Sequence, residues 1–172
     1  MERRPGARTL SEDERRVLAV WAADCAERTL PLFEARAPAD ARPREAIDGL
    51  RAFARGELRI GPVRALAARA HAAAREVGDH PAAVAAARAA GQAAAVAHMA
   101  GHAYGASAYA AKAIGLAAPH DPVAVAAEVR WQRRHATAPV RAALLRLPLP
   151  DRPAGVLGAL ISELHSELAK GG

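Results

Sequence analysis

The chain has 172 residues, a mass of 17.9 kDa and a formal charge of +6, a size that fits one domain. Hydrophobic residues make up 52% but aromatics only 3%, and alanine alone fills 49 positions, so the apolar mass is methyl groups rather than large side chains. Too few β-branched and aromatic residues are present to fill a sheet sandwich, and the hydrophobicity excludes a disordered chain, which leaves an all-α fold.

The charge is less telling than its size. Of the 24 basic residues only Lys112 and Lys170 are lysines, and the arginines alternate with acids, as in Glu12-Asp13-Glu14-Arg15-Arg16. No run reaches the length of a charged interaction tail, so the surplus reads as solvated helix faces and nucleic acid is not an expected partner. A nucleic-acid-associated basic protein is nevertheless one alternative function. The single cysteine, Cys25, permits neither an internal disulfide nor a cysteine zinc cluster and suits a reducing compartment.

Residues 1–9 are expected to form a flexible N-terminus. Met1-Glu2-Arg3-Arg4-Pro5 is charged, but no apolar stretch follows it, so no signal peptide is expected. Ser11-Glu12-Asp13-Glu14 then has the pattern of a capping box, which starts the first helix. Leu18, Trp21, Cys25 and Leu32 follow at spacings of three, four and seven on one face, with Pro31 kinking or restarting the helix. A second helix is predicted from Arg42 to Arg55, with Ile47, Leu50 and Phe53 inward. Gly56 and Gly61 bracket the next connection, and Pro62 opens a third helix carrying Val63, Leu66, Ala70 and Val77, which Gly78 ends.

Asp79-His80-Pro81 reads as the cap and first turn of a central Ala/Gly-rich helix. The 23 residues between Arg88 and Lys112 contain no Lys, Arg, Asp or Glu, a length that could cross a bilayer core. Their alanines, glycines, Gln92, His98, His102 and Ser107 fit the buried centre of a helical bundle instead, and no membrane association is expected. This stretch is either one helix running past Gly101 and Gly105 or two helices joined near there. Ala106 to Ile114 is helical again. Asp121-Pro122 caps a helix through Val125, Val129 and Trp131, and Pro139 starts another with Val140, Leu144 and Leu145. Residues 148–153 form a proline-rich linker. After it, Val156, Leu157, Leu160, Ile161, Leu164 and Leu168 make an amphipathic helix, within residues 154–172, expected to pack on the same domain. The expected architecture is a single bundle of about seven helices, with residues 10–147 as its main body.

His98 and His102 stand four residues apart, which on a continuous helix is one face and half of a metal site. No Glu follows His98 as in H-E-x-x-H, so the general base of a zinc protease is missing, and His71 or Asp24 would have to complete a ligand set. No metal or other cofactor is expected. The alternative is that the two histidines line a groove; on an unbroken helix Gly91, Ala95, His98, His102, Gly105 and Tyr109 share one face, and small residues there would leave a shallow pocket. His71, His98, His102, Tyr109 and Asp24 are therefore the candidate groove residues. Cys25 reads as a small core residue rather than a nucleophile. Trp131-Gln132-Arg133-Arg134-His135 is the densest cationic and aromatic cluster, making Trp131, Arg133 and Arg134 a candidate partner surface, or else a helix end with cations on its negative pole. No Walker A pattern precedes Lys112 and no G-x-S-x-G occurs, so no catalytic residue is assigned.

Leu10 to Glu27, with Trp21-Ala22-Ala23-Asp24-Cys25 inside it, resembles the opening of a bacterial immunity-protein family of polymorphic toxin systems, related to the fifth immunity domain. Pro31-Leu32-Phe33-Glu34, Arg42-Pro43-Arg44-Glu45-Ala46, Ala89 to Ala103 and Tyr109 to Ala113 are similar to the same family. The resemblance covers roughly residues 10–135. It implies an α-helical cytoplasmic protein, not an enzyme, that protects its producer by binding a cognate toxin. The second reading is a metal-binding or small-ligand-binding helical protein that uses His98 and His102. A homo-oligomer is left open.

Overall fold

The computed structural model describes residues 10–149 and 155–170. These form nine helices and no strand: α1 (Glu12–Glu27), α2 (Leu30–Glu34), α3 (Arg42–Ala54), α4 (Ile60–Glu76), α5 (Pro81–Ala95), α6 (His102–Ala117), α7 (Ala124–His135), α8 (Ala138–Arg146) and α9 (Gly155–Ala169). The count exceeds seven because Pro31 restarts the chain as the short α2 and because the neutral stretch is two helices. The expected flexible N-terminus, residues 150–153 of the linker, Ala154 and residues 171 and 172 lie outside the described residues; Pro148 and Leu149 belong to no helix.

The capping box is present: Ser11 Oγ accepts from the Glu14 amide at 3.2 Å, and Glu14 Oε2 accepts from the Ser11 amide at 2.8 Å. Leu18, Trp21 and Cys25 are buried as their spacing required, while Leu32 on α2 is only half-buried and Phe33 beside it is fully enclosed. Ile47, Leu50 and Phe53 of α3 all face inward. That helix ends in a Schellman motif, in which the Gly56 amide bonds Phe53 O and the Glu57 amide bonds Ala52 O, both at 2.9 Å. Gly56 takes φ +78°, the left-handed geometry that glycine adopts without a Cβ penalty.

Several boundaries differ from the sequence expectation. α4 starts at Ile60, two residues before Pro62, because proline in a first turn lacks only an amide that has no helical partner. His80 rather than Asp79 is the N-cap of α5, and its side chain makes no capping bond. Val123 precedes α7, with Asp121 Oδ1 accepting from the Val123 amide at 2.9 Å in the turn before it. On α9 Leu160, Leu164 and Leu168 are buried and Leu157 and Ile161 are half-buried, but Val156 is exposed at the first turn.

The centre of the molecule is the antiparallel pair α5 and α6. α1, α2, α3 and α4 pack on α5, while α1, α7 and α9 pack on α6. Ten of the 15 residues of α5 are buried, and all of these are alanine or glycine. Methyl-lined faces let backbones approach closely, which is how a helix with almost no large side chain forms a core. The bulk comes from the surrounding helices, through Leu18, Phe33, Phe53, Leu144, Leu164 and Leu168.

Candidate functional site

The neutral stretch breaks at residues 96–101, so His98 and His102 do not share a helix. The amides of Val96, Ala97 and His98 bond the carbonyls three residues back, and those of His102 and Ala103 do the same, which makes two tight turns and reverses the chain. Arg15 of α1 holds this reversal: its Nε donates to Ala97 O at 3.0 Å and its Nη1 to Leu10 O at 2.8 Å. The single-face array of Gly91, Ala95, His98, His102, Gly105 and Tyr109 therefore does not exist, because it required an unbroken helix.

Tertiary packing nevertheless brings the two imidazoles together, with ring centroids 5.4 Å apart and planes inclined by 53°. His102 Nδ1 bonds Gln92 Oε1 of α5 at 2.8 Å. With the amide oxygen as acceptor, Nδ1 carries the proton and Nε2 keeps its lone pair. The two glycines of the expected pocket serve a different purpose. A Cβ on Gly91 would lie 2.7–2.8 Å from three atoms of the His71 ring, and one on Gly105 would lie 2.3 Å from Gln92 Oε1. Each glycine is thus the seat on which a polar side chain from the adjacent helix rests.

His71, His98 and His102 are all half-buried, and burial is the largest cause holding each imidazole below its usual pKa. Arg88 and Arg75 add to this at His71, Arg64 and Arg15 at His98, and the other two imidazoles at His102. The three rings are therefore neutral at pH 7. Nδ1 of His71 and Nδ1 of His98 are buried without a hydrogen-bond partner. Among the described residues, no group of three His, Cys, Asp or Glu side chains is arranged to hold a metal ion.

Other candidates fall elsewhere. Tyr109 lies two turns along α6 from His102 and lines a separate depression of about 460 Å³ with Val84, Arg88, Lys112 and Leu116. Asp24 is paired with Arg51 of α3 at 2.8 Å, alongside Glu27, and is not among the histidines. Cys25 is fully buried, and burial raises its thiol pKa well above the ordinary value, which leaves it protonated and inert.

Trp131, Arg133 and Arg134 end α7 as the composition suggested, but only part of the cluster is available. The Arg28 guanidinium sits 4.0 Å from the Trp131 ring centroid, and His135 stacks on Trp131 at 3.9 Å. Arg28 also pairs with Glu128 at 2.9 Å, a carboxylate only 3% exposed that receives a second bond from Gln132 Nε2 at 3.1 Å. Gln132 O in turn accepts from Trp21 Nε1 at 3.0 Å. Arg133 lies 3.9 Å from Glu167 of α9, and Arg134 is exposed. This network ties α1 to α7.

Sequence reasoning missed Gln92 as a partner of His102 and missed Arg64, Arg75 and Arg88 as neighbours of the histidines. Gln92, the one amide side chain in the neutral stretch, was the available signal; its contact with His102 follows only once the chain reverses between them.

No curated protein and no solved structure matches the chain. A family model described as Imm-5 like putative immunity protein matches residues 8–139, from the residues before α1 to the start of α8, including all three histidines. The match covers most of the sequence, and the chain belongs to this family.

Proposed function

We propose that the protein protects its bacterial producer by binding a cognate toxin domain in the cytoplasm and neutralising it without catalysis. The observation that carries this reading is the family match across residues 8–139. The chemistry of the molecule agrees with it. The half-buried imidazoles of His71, His98 and His102 are neutral, with arginines near the first two, and the only thiol is buried and protonated. Such a surface recognises; it does not need to turn over a substrate.

The test is to sequence the genes flanking this one and co-express the chain with a toxin domain they encode, identified by its toxicity when expressed alone. The expected result is restored growth of the host and a stable complex on size exclusion. Toxicity undiminished by full-level expression of this chain, with no complex formed, overturns the proposal.

A further inference from the structure

Helices α4, α5 and α6 carry charges of nearly one sign. From Ile60 to Ala117 they hold Arg64, Arg69, Arg75, Arg88 and Lys112 against one helical carboxylate, Glu76. Glu76 is taken by Arg42 of α3 at 2.5 Å, and Arg69 is taken by Glu45 at 2.8 Å. Arg64, Arg75, Arg88 and Lys112 form no salt bridge among the described residues.

These four cations and the three histidines make one surface. Arg64, His71 and Arg75 follow at spacings of seven and four on α4, and His102, Tyr109 and Lys112 at seven and three on α6, with Arg88 on α5 between the two helices. Geometry links the surface at two places: Arg88 and Lys112 share the depression that Val84, Tyr109 and Leu116 line, and the His71 ring rests on Gly91, one turn along α5 from Arg88, within the electrostatic reach of Arg75 and Arg88. His102 feels His71 and His98, and His98 feels Arg64.

We infer that the α4–α5–α6 face is the docking surface of this protein, and that its occupant is an acidic protein segment presenting an apolar side chain between carboxylates. The inference rests on the toxin-neutralising reading for the partner's identity, whereas the chemistry of the segment follows from the face itself. The depression of about 460 Å³ accepts one aliphatic or aromatic anchor. Arg88 and Lys112 beside it accept the flanking carboxylates, and Asp79, which also lines it, keeps a carboxylate off its own edge. His102, whose Nδ1 proton is held by Gln92 Oε1, keeps the lone pair of Nε2 to accept a bond from a donor of the segment.

A nucleic acid fits less well. Duplex DNA presents a charge about every 1.7 Å, and strong binders neutralise roughly six to ten phosphates. Here four unpaired cations are spread over three helices, separated by alanine, neutral rings and an apolar depression.

The experiment has two arms on the full chain. In the first, chemical shifts are mapped with a 15-residue glutamate-rich peptide carrying one central phenylalanine, its lysine counterpart, and a 20-base-pair duplex. Shifts from the glutamate peptide confined to this face and lost in Arg88→Glu/Lys112→Glu support the inference; scattered shifts, or tighter binding of the duplex to the same face, overturn it. In the second, affinity is measured for the flanking-gene toxin domain used in the co-expression test. The double reversal is expected to weaken binding about 100-fold, whereas Arg55→Glu/Arg130→Glu, at the end of α3 and on α7, changes it less than about threefold. Wild-type rescue of the host with unaltered affinity in Arg88→Glu/Lys112→Glu overturns the docking surface while leaving the proposed function standing. No binding by the wild type defeats the proposed function, and the peptide arm then decides the chemistry of the face.

Discussion

The α1–α3 side and the α4–α6 side are built from the same residues and treat charge in opposite ways. On the first, Arg16 pairs with Glu12, Arg51 with Asp24 and Glu27, Arg42 with Asp40, Arg44 with Glu34, and Arg55 with Glu57. On the second, Arg64, Arg75, Arg88 and Lys112 form no salt bridge among the described residues and lie near half-buried neutral rings, with Asp79 as the carboxylate lining the depression of Arg88 and Lys112. A charge of +6 is therefore not spread evenly over the molecule. The paired side resembles an ordinary solvated surface; the unpaired side keeps its charge available to something outside the chain.

The largest effect tests the frame that carries both sides. Trp21→Ala should cost about 3–5 kcal/mol in urea unfolding, because it empties a buried site and removes one of the two donors to Gln132 O, leaving only the Ala136 amide. A loss below about 1 kcal/mol would show that α1 is not anchored to α7 through this ring.

Next in size, Arg28→Ala should destabilise by about 1–3 kcal/mol, since Glu128 would stay buried with only Gln132 as a partner. Glu128→Gln in the same background should recover part of the loss, which separates an unpaired charge from lost packing.

Gly91→Ala probes the unpaired side directly. The added methyl meets the His71 ring at 2.7–2.8 Å, so the ring must move outward, at a cost of roughly 1–2 kcal/mol. Proton NMR titration should then show the His71 pKa returning toward its ordinary value as burial is relieved. An unmoved titration with unchanged stability would mean that the glycine is not the seat of the ring.

A smaller effect comes from pH. His71, His98 and His102 have folded pKa values lowered by burial, so around and below about pH 6.5 the unfolded chain binds more protons than the folded one. Their contribution to stability is complete above that range and is lost as pH falls through it. Glu27 and Asp40, also lowered through their arginine bonds, lose theirs only at more acid pH. Thermal melts from pH 7.5 to 5.5 should show a decline that His71→Asn/His102→Asn flattens.

The smallest expected effects are at single exposed arginines, and their signs divide the two sides. Arg55→Gln should lower the melting temperature marginally by removing the bond to Glu57, whereas Arg75→Gln, which breaks no salt bridge, should leave it unchanged at pH 7 and raise it slightly near pH 5.5, where a protonated His71 would be repelled by Arg75. Equal shifts of the same sign would erase the distinction.

Local chemistry made much of this protein legible. Ser11 and Glu14 set the start of α1, Pro31 the restart, Gly56 and Gly78 the ends of α3 and α4, and the spacing of Ile47, Leu50 and Phe53 the inward face of α3. Each depends on residues within a turn or two of one another, and a short-range pattern reads off the sequence. Family membership was legible as well, from the segments around Trp21 and the two histidines.

The break at residues 96–101 was not decided by the residues inside it. Alanine favours a continuing helix, and Gly101 and Gly105 only permit a stop. What closes the turn is Arg15, 82 positions away from the Ala97 carbonyl that it caps. The same holds for the candidate site: His98 and His102 meet across a turn rather than along a helix, and His71 joins them because Gly91 of α5 leaves room for its ring. The sequence by itself determined the all-α class, most of the helices, the cap at Ser11 and the family. Which imidazoles come together, and which arginines stay unpaired beside them, was decided only by tertiary packing, because contacts between distant segments leave no periodic trace in an alanine-rich chain.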